Sequence, residues 1–422
     1  MPPRVVLGVG AGIAAYKSCE LLRLLTESGH RVRVVPTPDA LRFVGEATWA
    51  ALSGEPVATD AWTDVWQVPH VRIGQSADLV LVAPATADLL ARAAAGMAGD
   101  LLTATLLTAQ CPVLYAPAMH TEMWEHPATQ ANVSLLRSRG AVVLEPAVGR
   151  LTGADSGAGR LPEPPEIFAV AIRLLAGADP KTPKNPRIRD LAGRRVVISA
   201  GGTREEIDPV RFIGNWSTGT QGYALARTAV ARGAEVTVVA ANVTLADPAG
   251  AKVIRVVSAR EMRDAVTAAA AHADAVVMAA AVADYRPEAP STAKIKKDGR
   301  PPEPLRLTEN PDILAGLAAD RAAHPTGHGG PQVLVGFAAE TDTSEQAARA
   351  KLARKGCDLL VVNPVGNGLG FGTPDNEAVV FGADGTVTRI PRGPKEVLAD
   401  VVWDLVIANL KPVSGVKPEV TG

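Results

Sequence analysis

Residues 4–17 read RVVLGVGAGIAAYK. The β-branched run Arg4–Val9 meets a glycine turn and then an apolar-periodic segment. A continuous apolar strand followed by such a helix marks a parallel sheet buried on both faces. The stretch RRVVISAGG at 194–202 begins in the same way. Outward from these two starts, strands are expected at 31–35, 77–83, 112–116 and 141–144, and again at 235–240, 274–280, 332–337 and 358–362. Residues 377–381 and 387–390 flank Ala383-Asp384-Gly385 and read as an antiparallel hairpin. The expected fold class is α/β, with two doubly wound parallel-sheet domains in series. Three prolines among residues 177–186 mark a linker, so the break is placed near 190, giving domains 1–190 and 191–422.

Bulk composition narrows the partners. With 47% apolar and 21% charged residues in 422, each half can build its own core. The formal net charge is −1 and no basic stripe occurs, which argues against nucleic acid or a membrane surface as partner. Small-molecule ligands are expected. The three cysteines, Cys19, Cys111 and Cys357, are far apart. That excludes a disulfide framework and a cysteine zinc site, and fits a reducing cytoplasm. The apolar start is too short for a signal peptide, and no uncharged apolar run is long enough to span a membrane.

In open parallel sheets ligands bind beyond the carboxyl ends of the strands. After the first strand, Gly10-x-Gly12-x-x-Ala15 fits a loose dinucleotide fingerprint, although a tight strand-to-helix turn gives the same spacing with no ligand. A nicotinamide-type site wants an acid at the end of the second strand. That strand ends Val35-Pro36-Thr37-Pro38, where a hydroxyl suits a phosphate or ribityl chain better. The third ends Pro84-Ala85-Thr86-Ala87-Asp88, and Thr86 near a helix start can offer a hydroxyl beside backbone N–H groups. These features favour flavin mononucleotide over NAD. A lone histidine such as His70 is usually a solvated or core residue. His120 and His126 are six apart with no third ligand evident, which does not make a metal pair.

Taken together, GIAAYK at 12–17, PATAD at 84–88, AAGMAGDLL at 94–102 and PAMHTEMW at 117–124 resemble the flavin-dependent cysteine decarboxylase family. The resemblance runs through most of residues 4–175. It implies a flavodoxin-like domain binding FMN between subunits of a homo-oligomer, trimer-based and up to a dodecamer. The flavin contacts it implies are Gly10, Gly12, Ile13, Ala14, Thr37, Ala85 and Thr86. His70 stands in the position of the catalytic base, whose ordinary pKa is close to working pH. His120 stands where the family has Asn. The flap at 150–160 carries Gly153 where many relatives have a proton-donating cysteine, so the late proton donor is unassigned, with Asp155, Cys111 or a water as candidates. The implied chemistry is redox-neutral decarboxylation with the flavin as transient electron acceptor.

In the second half, Gly219-x-x-Gly222 opens a helix with Ser217 or Thr218 as its cap, a ready phosphate site that is also an ordinary capped helix. Lys294, Lys296 and Lys297 would by themselves read as a solvated face. With Lys351 and Lys355 one helical turn apart, they form a set of cations with few excess acids nearby, as a triphosphate requires. DPVRFI at 208–213, NWSTG at 215–219, AAVADY at 280–285, KIKK at 294–297, NPDI at 310–313 and GFAAET at 336–341 resemble bacterial phosphopantothenate–cysteine ligase. The fusion order resembles the bacterial bifunctional enzyme of coenzyme A biosynthesis. The resemblance implies a Rossmann-like ligase domain that dimerises. It would use CTP with Mg2+ to activate 4′-phosphopantothenate as an acyl cytidylate, which cysteine attacks. Asn215 matches the residue that handles the acyl intermediate, and Lys294 the lysine serving CTP and the developing charge. Met278, Ala279, Ala280, Asp284, Pro311, Asp312, Ile313, Leu314, Phe337, Lys351 and Lys355 match the CTP contacts. The competing readings are an NAD(P)-dependent dehydrogenase with two Rossmann-type units and a non-catalytic flavodoxin-like electron-transfer protein.

Overall fold

The computed structural model describes residues 2–59, 68–150, 156–176, 190–296, 304–324, 333–340, 344–365 and 375–410. The expected linker at 177–186, flap positions Gly153 and Asp155, Lys297, Thr341 and the tail beyond 410 lie outside the described residues. The chain divides into two compact units. The first takes Met1–Asp190, Val230–Gly233 and Ala246–Ala251, and the second takes Leu191–Ala229, Ala234–Leu245 and Lys252–Gly422.

The first unit runs β1 (Arg4–Val9), α1 (Ala15–Glu27), β2 (Arg31–Pro36), a 3-10 turn (Pro38–Arg42), α2 (Glu46–Ser53), α3 (Pro69–Ser76), β3 (Leu79–Ala85) and α4 (Ala87–Ala95). It continues through α5 (Leu101–Thr108), β4 (Val113–Pro117), α6 (Thr121–Glu125), α7 (Pro127–Ser138), β5 (Val142–Val143), β6 (Ala147–Arg150), β7 (Ser156–Arg160) and α8 (Pro164–Ala176). Its main sheet has the order β2-β1-β3-β4-β5, all neighbours parallel. This is the flavodoxin-like order, with its topological switch between β1 and β3. Strand alternation divides the core into two. Val5, Leu7 and Val9 join Leu22, Leu25, Trp49 and Ile167 on one face. Val6, Val80 and Val82 join Leu90, Leu102 and Trp124 on the other.

The second unit runs β8 (Arg195–Gly201), β9 (Arg204–Asp208), β10 (Arg211–Gly214), α9 (Thr220–Ala231), β11 (Glu235–Ala241), β12 (Ala251–Val256), α10 (Ala259–Ala270), β13 (Ala275–Met278), β14 (Tyr285–Pro287) and β15 (Leu307–Glu309). It ends with α11 (Ile313–Ala323), β16 (Val333–Glu340), α12 (Glu345–Lys355), β17 (Leu359–Pro364), β18 (Asp375–Gly382), β19 (Val387–Pro394) and α13 (Lys395–Asn409). The sheet order is β12-β11-β8-β13-β16-β17-β18-β19. Its first six strands follow the Rossmann pattern 3-2-1-4-5-6, with the switch between β8 and β13. The expected hairpin is β18 and β19, added antiparallel to the far edge.

Helices α10, α11 and α12 close one face around Val197, Val276, Leu334 and Leu360. Helices α9 and α13 contribute nothing to that cluster and pack together on the other face. There Trp403 is fully buried and its indole N–H donates to the Leu225 carbonyl at 3.0 Å. Among the described residues, no helix is long and apolar enough to cross a membrane.

Two elements escape the sequence pattern. Strand β12 alternates weakly because Lys252 and Arg255 interrupt its apolar residues. The hairpin β9–β10 is mostly charged, yet Glu205 is buried and accepts a hydrogen bond from the Ala259 amide at 2.9 Å. Asp208, on the same strand, is also buried and takes the Arg211 guanidinium, at 2.9 Å from Nε. Its Oδ2 accepts the Ile295 N–H at 3.1 Å, and Arg211 donates to the Ile295 carbonyl at 2.8 Å. The loop carrying Lys294 is thereby fastened to the hairpin.

Two outcomes follow from this packing. Trp403→Ala leaves a large hole and should destabilise the second unit by about 3–5 kcal/mol in denaturant unfolding. The Arg211 guanidinium, helped by the Val210 and Ile295 amides and opposed by burial, holds the Asp208 carboxyl below the usual carboxylate range. Its stabilising contribution is therefore complete above the unfolded value of about 4 and is lost only as pH falls through the lower folded value. Hydrogen exchange at the Ile295 amide should stay slow into mild acid in the parent protein and be fast already at neutral pH in Asp208→Asn.

Candidate functional sites

Each sheet carries a site at its carboxyl edge. In the first unit, β1 ends against β3. The Gly10 amide donates to the Pro84 carbonyl at 3.0 Å, and a Cβ on Gly10 would sit 2.5 Å from that oxygen. No side chain fits there without moving backbone. One strand over, the Thr37 amide donates to the Val9 carbonyl at 2.9 Å. Thr86 caps α4, accepting from the Leu89 amide at 3.2 Å, and Ala85 is fully buried beside it. Gly10, Thr37, Ala85 and Thr86 are thus brought to one edge across three neighbouring strands. Gly12 and Ala14 follow in the turn into α1, and Ile13 is exposed at its tip.

His70 and His120 come from other elements. His70 is the second residue of α3, and the residue before that helix, Val68, has a left-handed backbone (φ 49°). For a β-branched residue that conformation is strained. The His70 carbonyl accepts from Thr108 Oγ1 on α5 at 2.8 Å. A Cβ on Gly74 would lie 2.2 Å from that same hydroxyl, so α3 and α5 are in close contact. His120 is the exposed residue preceding α6, two positions past Ala118, whose amide donates to the Ala85 carbonyl.

Three buried polar atoms of this unit, Thr37 Oγ1, His70 Nδ1 and Thr121 Oγ1, have no hydrogen-bond partner among the described residues. A buried hydroxyl or imidazole left in that state is costly, about 1–3 kcal/mol each. Thr121 was not singled out in the sequence, since only its burial beside Gly157 distinguishes it from other threonines. A separate cavity of about 630 Å3, lined by Arg4, Arg31, Arg33 and Arg72, holds none of the expected residues.

In the second unit a cavity of about 620 Å3 opens where β13, β16 and β17 end. Its lining includes Asn215, the turn 217–222, residues 278–284, residues 310–314, Phe337, Lys351, Lys355 and Lys395. The close approach of strand ends again requires glycine: Gly201 has φ 82°, and a Cβ there would lie 2.0 Å from the Ala241 carbonyl oxygen. Ser217 and Thr218 both reach the start of α9, at 3.3 Å to the Gly219 amide and 3.5 Å to the Thr220 amide. Asn215 donates its side-chain amide to the Val282 carbonyl at 3.1 Å, which orients the side chain at the cavity mouth. Met278, Ala279, Ala280, Asp284, Pro311, Asp312, Ile313, Leu314 and Phe337 all line the same cavity.

One expectation needs correcting. Lys351 and Lys355 are not cations without acids: Lys351 Nζ lies 2.6 Å from Glu340 Oε1, and Lys355 Nζ 2.5 Å from Asp312 Oδ2. Sequence separation hid both partners. Burial disfavours the Asp312 charge, but Lys355 and the Ala315 amide outweigh it, so its carboxyl sits below its usual range. Lys294 is exposed and outside the cavity lining, beside Ile295, whose amide donates to Asp208 Oδ2. One lining residue that the sequence reading passed over is Lys395. At the start of α13 it resembles an ordinary solvated lysine, yet it is 4% exposed.

Comparison with known proteins agrees with this division. The Flavoprotein family matches residues 1–176, and the family described as DNA/pantothenate metabolism flavoprotein C-terminal domain matches residues 191–410. The chain is 57% identical over 418 residues to the coenzyme A biosynthesis bifunctional protein CoaBC of Mycobacterium tuberculosis, covering 97% of either chain. It is 56% identical to that of Mycolicibacterium smegmatis over 98% of this chain and 99% of the relative. For Vibrio parahaemolyticus the identity is 42%, over 90% and 92%. With two unlike sites at two sheet edges and likeness running the whole length of these relatives, the chain belongs to the family of coenzyme A biosynthesis bifunctional proteins, a decarboxylase unit followed by a ligase unit.

Proposed function

We propose that the chain makes 4′-phosphopantetheine from 4′-phosphopantothenate, cysteine and CTP, with ligation in residues 191–422 and FMN-dependent decarboxylation in residues 1–190. The observation that carries the reading is the contrast between the two units: buried polar atoms of Thr37, His70 and Thr121 without a partner among the described residues in the first, and a roomy, ion-paired cavity in the second.

For the ligase, a free carboxylate is a poor electrophile, so CTP with Mg2+ activates it as an acyl cytidylate before the cysteine amine attacks. Asn215, fixed through Val282, presents the rest of its amide to the acyl oxygen as a neutral donor. Residues 278–280 and 311–314, with Asp284 and Phe337, form the wall for the nucleotide. Lys294 serves the developing charge, and its motif supports that role more than its exposed position does.

For the decarboxylase, the first unit's residues suit a flavin mononucleotide. The Gly10 turn allows a ligand to reach the backbone, Thr37 and Thr121 carry hydroxyls in need of partners, and Thr86 opens a helix. When bound, the flavin supplies a reversible electron sink that lets carbon dioxide leave without an external reductant. His70 accepts the proton that the substrate gives up, its Nδ1 being buried and uncommitted among the described residues. Exposed apolar side chains support a homo-oligomer: Ile13 and Tyr16 beside the first site, and Phe212, Trp216 and Ile295 on the second unit, where Trp216 is 86% exposed.

Separable half-reactions test the assignment. His70→Asn should abolish carbon dioxide release from supplied 4′-phosphopantothenoylcysteine while leaving cysteine-dependent pyrophosphate release intact. Lys294→Gln should do the reverse, and loss of both activities in either variant would show that the two sites are not independent. In Gly10→Ala the added methyl collides with the Pro84 carbonyl, so purified variant should carry far less flavin, read from its absorbance spectrum. Full flavin content in that variant would place the ring elsewhere.

A further inference from the structure

Three charged side chains of the first unit meet just before α8. Lys17 Nζ on α1 donates to both carboxylate oxygens of Glu163, at 3.1 and 3.0 Å, and the Arg160 guanidinium donates to the first of them. The Lys17 side chain is 13% exposed and that of Glu163 is 30% exposed. A pair this sheltered fixes two elements to each other, where a fully exposed one would add little. The Glu163 backbone is fixed as well. Its carbonyl accepts the Glu166 and Ile167 amides of α8 at 2.8 and 3.2 Å, and its amide donates to Glu166 Oε2 at 3.2 Å.

Each end of this tether leads to the first site. Lys17 is the third residue of α1, and its amide donates to the Ala14 carbonyl at 3.0 Å. The turn with the expected flavin contacts Gly12, Ile13 and Ala14 is therefore directly upstream. In the other direction Arg160 ends β7, whose Gly159 carbonyl accepts the Met119 amide at 2.9 Å. Strand β7 presses closely on the segment after β4. A Cβ on Gly159 would collide with the Met119 carbonyl, and one on Gly157 with Thr121 Oγ1. His120 lies between those two contacts. In the sheet β3 stands between β1 and β4, so residues 159–163 reach from one flank of the β3 end to the other. Leu161 seats this strap in the core on the α1 face.

The two flanks are held differently. The α1 side has fastenings of its own: the Gly10 amide on the Pro84 carbonyl, and the Ser18 hydroxyl on the Ala83 carbonyl at 2.7 Å. The β7 side leans on the Glu163 cluster through Arg160. Removing the Glu163 charge should leave the α1 turn in place and loosen β7 together with the segment at His120.

We propose that Glu163 is a positioning residue of the decarboxylase, which sets the separation between the α1 turn and the His120–Thr121 segment. The assignment rests on the flavin reading of the first site. Glu163 acts through β7, and misplacing a site segment by about 1 Å is enough to cost roughly a hundredfold in rate.

Three variants of the full-length protein test this. Glu163→Gln keeps the shape and removes the charge, Lys17→Met cuts the same bridge from its other end, and Lys17→Arg preserves it. Hydrogen exchange at the Met119 amide, followed without flavin, should quicken roughly tenfold in the first two and stay slow in Lys17→Arg. With FMN saturating, kcat on supplied 4′-phosphopantothenoylcysteine should fall roughly ten- to a hundredfold in Glu163→Gln, while the FMN dissociation constant, read from flavin fluorescence, shifts by less than about threefold. Combining Lys17→Met with Glu163→Gln should slow the reaction no further than Glu163→Gln alone. Unchanged Met119 exchange, unchanged kcat, a loss confined to FMN affinity, or losses that add in the double variant overturns the assignment. A parent protein that binds no FMN would instead sink the flavin reading, and the Met119 exchange tells that failure from this one.

Discussion

Both units depend on chain meeting chain at the carboxyl edge of a parallel sheet with no side chain between. At Gly10 the backbone is hydrogen-bonded to the Pro84 carbonyl, and at Gly201 it runs against the Ala241 carbonyl. In each case a Cβ would lie inside van der Waals contact with a backbone oxygen, which cannot step aside as a flexible side chain could. The consequence is the same twice over. Neighbouring strands end close together, the following helices start from the same place, and polar groups that cannot enter a core buried on both faces collect at that edge.

What collects there differs between the two. The first edge leaves Thr37 Oγ1 buried without a partner among the described residues, and His70 Nδ1 and Thr121 Oγ1 are in the same state elsewhere in the unit. The second edge is organised the other way: Asn215, Asp312, Lys351 and Lys355 all have partners within the protein. A site for a largely neutral ring needs hydrogen-bonding groups held dry and free. Charges fixed in ion pairs, as in the second unit, keep their positions whether or not a ligand is present.

The sequence carries the sheets well and the electrostatics poorly. Apolar runs such as Arg4–Val9 and Leu359–Pro364 are buried on both faces, and composition alone announces them. Glycine spacing likewise announces the turns after β1 and β8. Strand β9 is invisible by the same logic, because its buried members Glu205 and Asp208 are stabilised by the Ala259 amide and by Arg211 rather than by apolar contact. The partners of Lys351 and Lys355 lie 11 and 43 residues away, so no local window shows that these lysines are neutralised. Lys395 is buried where the start of α13 meets α9, a fact of tertiary packing. Family motifs nominated Asp312, Lys351 and Lys355, which line the cavity, and also Lys294, which lies outside its lining.

The position of Lys294 bears on how the ligase site is built. Its neighbour Ile295 is clamped on both backbone groups, the N–H by Asp208 and the carbonyl by Arg211. Asp208 is in turn fully committed, with Oδ1 accepting the Val210 and Arg211 amides and Oδ2 holding the guanidinium. Five hydrogen-bonding groups thus converge to fix one peptide next to a lysine whose own side chain is left in water. The other side of Lys294 is held as well, by the Ser291 amide donating to the Ile207 carbonyl at 2.9 Å and the Ser291 hydroxyl donating to the Ala293 carbonyl at 2.6 Å. The lysines that line the cavity from α12 are placed by ion pairs with Glu340 and Asp312, whereas Lys294 is placed through the backbone of its neighbour.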